Sequence, residues 1–293
     1  MTLIKSGASE FLYQSFINRS TSFHSSLGKI AITGSMTRIH QSRVDLKKVF
    51  ALLSFFDLLN AKGFNYKESS GVFRKIYKLS GEIREYQVNI IYLESIKDEH
   101  PGLLKLIHHF NKLRQKCLRG LITQISDFKE RKFKKMKREI RLWLPGIEEE
   151  VIIDKAVSFL NQRSIWMEKL ADEPEQEETL HRIRIELKKI IAIFTLLDQI
   201  NPIEERKRMF RELDKFESEI GNWHDKIILL NHSRKFIQSH TTTNELPKTD
   251  LEWFCKKLES EARIASCHFS GMTRVVSNLV RYHLKFHDIK SVL

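Results

Sequence analysis

The chain has 293 residues, 41% of them hydrophobic, with 50 Lys+Arg against 37 Asp+Glu, a formal net charge of +13 and a pI near 9.6. This is enough apolar content for one large domain or two of about 150 residues, and the cationic excess favours an acidic partner such as nucleic acid, an anionic surface or another polyanion. Cys117, Cys255 and Cys267 are odd in number and lack metal-ligand spacing, which argues against a disulfide framework or a zinc site and suits a reducing cytoplasm.

The N-terminal stretch MTLIKSGASEFLYQSF holds no continuous apolar region, and no segment approaches the roughly 18–20 apolar residues of a bilayer span, so a soluble, unsecreted, cytoplasmic chain is expected. Only 11 glycines and 5 prolines interrupt the sequence, and apolar residues recur at three- and four-residue spacing, which predicts an all-α fold. In chain order the expected helices cover about 8–27, 36–59, 67–97 and 99–142, then 147–170, 177–200, 202–240 and 248–290, with the last of each set broken in places. The boundary falls at Leu144-Pro145-Gly146, where Pro and Gly stop one helix and the acidic Glu148, Glu149 and Glu150 open the next. Two halves result, 1–144 and 145–293. Segments 63–71, 171–179 (ADEPEQEET) and 240–250 (HTTTNELPKTD) read as loops.

The second helix of each half carries the informative feature. IHQSRVDLKKVFALLSFFDLLN at 39–60 aligns without a gap on LHRIRIELKKIIAIFTLLDQIN at 180–201, at an offset of 141 residues. His40, Arg43, Lys47, Lys48 and Asp57 fall on His181, Arg184, Lys188, Lys189 and Asp198. On a helix His40, Arg43 and Lys47 share one stripe with Lys48 at its edge, while Leu46, Val49, Phe50, Leu53 and Phe56 point the other way. In the second copy His181, Arg184 and Lys188 stand opposite Leu187, Ile190, Ile191 and Phe194. A single lysine on such a stripe is ordinarily a solvated side chain, and a single histidine a packing residue bonded across a bundle. The whole set repeated in register points to a duplicated anion site.

These residues resemble the CHAD domain (conserved histidine α-helical domain) family, whose H-x-x-R-x-x-x-[RK]-[RK] helix is matched at His40–Lys48 and His181–Lys189. A second family motif, G-x-x-R-D-x-x-V, is matched loosely by Gly81–Val88 and, 140 residues on, by Gly221–Ile228, with His224 in place of the arginine given by Arg84. The basic R-F-x-x-L segment looks like Lys132-Phe133-Lys134-Lys135-Met136. The resemblance spans nearly the whole chain. It implies two pseudo-twofold-related four-helix bundles from an internal duplication, sharing a basic central cavity that binds inorganic polyphosphate without chemistry of its own. The residues it nominates are His40, Arg43, Lys47, Lys48, Arg84, Lys132, Lys135, His181, Arg184, Lys188, Lys189 and His224. Members often carry a further arginine ten residues after the histidine; here Phe50 and Ile191 stand there. Association with polyphosphate granules is a further expectation.

Other constellations are weaker. The run FKERKFKKMKREIRLWL at 128–144 makes nucleic acid the second candidate partner, yet no base-reading module accompanies it. A metal-dependent helical-bundle enzyme ranks third: Glu178 and His181 have di-iron spacing, but the first-half equivalent is Thr37. His108-His109 and His224-Asp225 are scattered dipeptides. No P-loop, G-x-S-x-G, G-x-G-x-x-G or acidic triphosphatase signature occurs, so neither catalysis nor a cofactor is expected.

Overall fold

The computed structural model describes residues 7–59, 64–173, 176–200, 202–204, 206–240 and 248–290, the side chains of 248 and 285–290 excepted. The first half runs α1 (Ala8–Thr33), α2 (Met36–Leu58), α3 (Tyr66–Gly71), α4 (Arg74–Glu94), α5 (Leu104–Ser126) and α6 (Glu130–Trp143). The second runs α7 (Glu149–Ala171), α8 (Glu177–Ile200), α9 (Arg206–Ser239), α10 (Lys248–Ser266) and α11 (Phe269–Lys290). No strand occurs among the described residues. The chain is all-α, and α7 to α11 follow the order of α1 to α6, with α9 in the place of the broken α3–α4 pair. The fourth expected segment is interrupted in both halves, at Asp127–Lys129 and at Cys267–His268.

Local chemistry sets how the repeated helices start and stop. Gly34, at φ 59°, ends α1 in the left-handed conformation and donates its N–H to the Ile30 carbonyl at 2.8 Å, and Ser35 then caps α2 by accepting from the Arg38 N–H. This two-residue turn lays α2 back along α1 and fixes which way the His40 stripe faces. The repeated Asp57 and Asp198 have a matching task at the other end. Asp57 Oδ1 accepts from the Tyr66 N–H at 3.1 Å, and Asp198 Oδ1 accepts from the Ile203 N–H at 3.4 Å and also faces the buried Arg206. The acidic turn after Pro145 does more than favour its own helix N-terminus, because Glu149 Oε2 accepts from the Ala8 N–H at the start of α1.

One apolar core draws on both halves: Phe16, Phe23, Leu46, Val49, Leu53 and Phe56 from the first and Leu160, Leu187, Ile190, Phe194, Phe216 and Ile220 from the second are all buried in it. Phe50 and Ile191 depart from the expected stripe. Both are only half-buried, at its flank. A smaller core joins the ends of α4 and α5 (Leu93, Phe110) to α9 and α10 (Leu230, Phe254). The backs of the repeated helices hold buried carboxylates besides apolar residues. Asp45 accepts from Ser22 Oγ at 2.7 Å, and Glu186 is paired with Arg163 and Lys189.

Candidate functional site

Helices α2 and α8 pack against each other, and α4 packs against α9, so the second helix of each half and the helix after it meet their counterparts at one place. Arg43 is the most firmly held cation there. Its Nη1 donates to the Tyr77 carbonyl at 2.8 Å, and its guanidinium lies 4.5 Å from the centroid of the Tyr77 ring, which itself packs edge-on against Phe50 at 5.0 Å. Gly81, one turn further along α4, makes this possible. A Cβ at that position would lie 2.7 Å from Arg43 Nη1, so only glycine leaves the guanidinium where it is. The first residue of the G-x-x-R motif is thus explained by the arginine of the other motif.

Across the junction stand Arg184 and Lys188. Lys188 Nζ pairs with Glu217 Oε1 at 3.3 Å. Burial pushes its ammonium down to about 8, with repulsion from Arg184 and Lys47 adding to the effect and Glu217 opposing it. Lys47 keeps exposed surface, yet desolvation lowers it too, followed by Arg43; Glu217 and Asp225 oppose the shift and Arg184 assists it. The α2 lysine therefore lies within electrostatic reach of four charged groups on α8 and α9. Arg184 is lowered by burial against the pull of Asp225, Glu217, Tyr77 and Glu85, and its Nε is buried without a hydrogen-bond partner.

Carboxylates are interleaved with these cations. Burial raises Glu85 and Asp225 above the usual carboxylate range, while Arg43 and Arg184 pull Glu85 down and Arg184, Lys188, Arg84 and Lys47 pull Asp225 down. Among the described residues the cluster gathers Arg43, Lys47, Arg84, Arg184 and Lys188 against Glu85, Glu217 and Asp225, an excess of cations that is partly neutralised from within.

The histidines rim this cluster. His40 is exposed, and burial, then Arg84, Lys47 and Arg43, lower its pKa. His181 is exposed with its ring 5.1 Å from that of His224. His224 is half-buried and pushed down to about 4, first by burial and then by Arg184, His181 and Lys188. It is neutral at pH 7. Arg84 reaches the cluster from α4, with Nη1 donating to Gln87 at 2.9 Å.

Four of the sequence-nominated residues lie elsewhere. Lys48 is exposed beside the stripe, as its position on the helical wheel suggested. Lys189 turns toward the back of α8, where its Nζ meets Glu186 Oε1 at 2.7 Å. Lys132 and Lys135 line a cavity away from the cluster, bounded by α3, the start of α4 and α6, and Lys135 is paired with Glu139 at 3.5 Å. His108 is exposed, and His109 packs on Phe236 and His240, away from the cluster. Among the described residues no group of three or more His, Cys, Asp or Glu is placed to hold a metal ion, and no helix is long and apolar enough to cross a membrane.

The residues that motif reading left out are Tyr77, Glu85, Glu217 and Asp225. Glu85 and Asp225 occupy the acidic position of the second motif, and Tyr77 and Glu217 correspond to each other at the same 140-residue offset. The signal was present in the alignment. A search for phosphate ligands passes over carboxylates and tyrosines.

An all-α protein with a duplicated histidine-arginine-lysine helix at the meeting place of its halves defines the class. The family model described as CHAD domain matches residues 31–263, and the chain belongs to the CHAD domain family, a family of helical domains not known as catalytic enzymes. The fold matches the crystal structure of the CHAD domain from the plant Ricinus communis with a TM-score of 0.70, over 93% of this chain and 92% of that one, at 13% sequence identity. The chain is also similar to alpha-mannosidase E of Dictyostelium discoideum, 25% identical over 123 residues, which is 41% of this chain and 11% of that protein. It thus spans about a tenth of the length of that curated relative.

Proposed function

We propose that this protein is a non-catalytic, cytoplasmic module that binds inorganic polyphosphate along a track made by both copies of the basic helix. The observation that carries the reading is the packing of α2 on α8, which brings Lys47 of one copy into the field of Arg184 and Lys188 of the other. Two half-sites in one field suit a polymer that presents about one negative charge per phosphate. Arg43, Arg84 and Arg184 supply directional forks; Lys47 and Lys188 supply mobile point charges. Each charge-assisted hydrogen bond contributes roughly 1.5–3 kcal/mol, offset in part by ordering of the polymer.

Binding also has to rearrange the ion pairs within the cluster. Phosphate oxygens compete with Glu217 for Lys188, and their negative charge raises the proton affinity of His224, Asp225 and Glu85. Proton uptake therefore accompanies binding, and affinity increases as pH falls toward about 4, where His224 charges. Lys132 and Lys135 are not part of this track. Association with polyphosphate granules follows if the track engages a polymer already held in them.

The test is titration of the full chain with long-chain polyphosphate, duplex DNA, single-stranded RNA and a sulfated polymer at one salt concentration. A polyphosphate track ranks polyphosphate first. Equal affinity for all four polymers would favour generic attraction, for which the exposed Arg131, Lys134, Arg138 and Arg141 of α6 are the best source.

A further inference from the structure

The cavity between α3, the start of α4 and α6 has a character of its own. It measures about 1020 Å³, near the top of the range of small-molecule sites. Helix α6 presents Lys132, Lys135 and Glu139 to it at three- and four-residue spacing, and α3 with the start of α4 presents Lys67, Glu68, Val72 and Lys75 from the facing wall. Lys129 stands at the turn between α5 and α6, and all five lysines are exposed. Below this rim lie Phe64, Phe128 and Trp143, each half-buried, so each keeps part of its ring surface open to the cavity. Trp143 is wedged by Phe56 at 5.7 Å and Phe64 at 5.8 Å, and Phe128 is wedged among Phe23, Phe73 and Phe133. These rings are fixed platforms.

A long bare polyanion makes poor use of such a place. It gains nothing from an aromatic floor, and Glu68, Asp127 and Glu139 on the lining set three negative charges against the five lysines. What matches is a ligand with a flat aromatic body and a short phosphate chain: the body stacks on an open ring while the phosphates reach a few lysine ammonium groups. Base stacking on an aromatic side chain is favourable for every base, since each has a π-face.

We infer that the cavity between α3–α4 and α6 is a binding site for a nucleoside polyphosphate, with the base on the Phe64, Phe128 and Trp143 floor and the phosphates on the Lys132 and Lys135 side. This inference does not rest on polyphosphate binding at the α2–α8 junction, since the two sites share no residue.

The experiment compares magnesium-free adenosine triphosphate, inorganic tripolyphosphate and adenosine on the full chain, with and without Arg43→Ala and Lys47→Ala so that binding at the α2–α8 junction is separated, followed by equilibrium dialysis and tryptophan fluorescence. Adenosine triphosphate should bind at least tenfold more tightly than tripolyphosphate and quench Trp143, a signal that Trp143→Phe should remove while keeping the ring and the affinity. Lys132→Gln with Lys135→Gln, both exposed and therefore compatible with folding, should weaken adenosine triphosphate at least tenfold and leave the affinity for long-chain polyphosphate unchanged. Arg43→Ala with Lys47→Ala should leave adenosine triphosphate unaffected. Equal binding of adenosine triphosphate and tripolyphosphate would overturn the inference, as would loss of nucleotide binding in the Arg43/Lys47 variant alone. An oligoadenylate that displaces adenosine triphosphate at far lower concentration per nucleotide would overturn it in favour of a single-strand groove.

Discussion

The two copies of the basic helix carry the same cations, but their neighbours treat them differently. In the first half Tyr77 offers Arg43 a carbonyl and a ring, and Gly81 clears the space for it. In the second half the position of Tyr77 is taken by Glu217, which engages Lys188 instead, and a Cβ on Gly221 would meet nothing within 4 Å. Arg184 is left with a buried Nε that has no partner. One copy holds its arginine against a carbonyl and a ring, whereas the other holds its lysine in an internal ion pair. Duplication of a motif therefore does not by itself duplicate a site, because the adjoining helix decides which cation is ordered.

The largest expected effect comes from removing the cations of either copy. Arg43→Ala with Lys47→Ala, and separately Arg184→Ala with Lys188→Ala, should each weaken polyphosphate binding by about tenfold to a hundredfold, since two charge-assisted contacts are lost from one track. A salt series should show a flatter slope for both variants, as fewer phosphates are neutralised. Circular dichroism should show unchanged helicity, because these side chains face away from the apolar core.

The apolar side should behave symmetrically where the charged side does not. Leu46 and Leu187 are equivalent and both fully buried. Leu46→Ala and Leu187→Ala should each cost about 2–5 kcal/mol in denaturant unfolding. Similar costs would limit the asymmetry to the site.

The glycines give the sharpest contrast. Gly81→Ala should displace Arg43 from Tyr77 and weaken polyphosphate binding several-fold, although helix propensity itself favours the alanine by about 0.5–1 kcal/mol. Gly221→Ala should leave binding unchanged. Loss of binding in both variants, measured by titration calorimetry, would mean that the two arginines are held alike.

How much of this was legible in the sequence follows from what helical periodicity encodes. The gapless repeat marks α2 and α8, and the helix stop at Pro145-Gly146 is readable from those two residues; that the fourth segments are interrupted is readable too, but not where. Helix α3 departs from the sequence reading: its polar and glycine residues make 63–71 read as a loop, yet Tyr66–Gly71 is helical, started by Asn65, whose side chain accepts from the Glu68 N–H at 3.1 Å. Asp45 and Glu186 were also hidden, since carboxylates within an apolar stripe become intelligible only once Ser22, Arg163 and Lys189 are seen beside them. Lys132 and Lys135 are nominated by a linear motif, as the central cations are, but a linear motif carries no information about which part of the fold a helix face meets.

The smallest effect is the pH response of the second half. Lys188, held near 8 by burial and like charges, is protonated below that value, and bound phosphate favours the protonated form. Polyphosphate affinity should accordingly fall as pH rises through about 8. Lys188→Arg should abolish that fall, since a guanidinium stays charged throughout the range.

The claim on which all of this depends is that the two copies form one binding track. Calorimetric titration of the Arg43→Ala, Lys47→Ala variant with polyphosphate of defined length, set beside the unaltered chain, tests it most directly. A shared track predicts the same number of chains bound per protein at a lower affinity. Half the number bound at an unchanged affinity would show two independent sites and contradict the account.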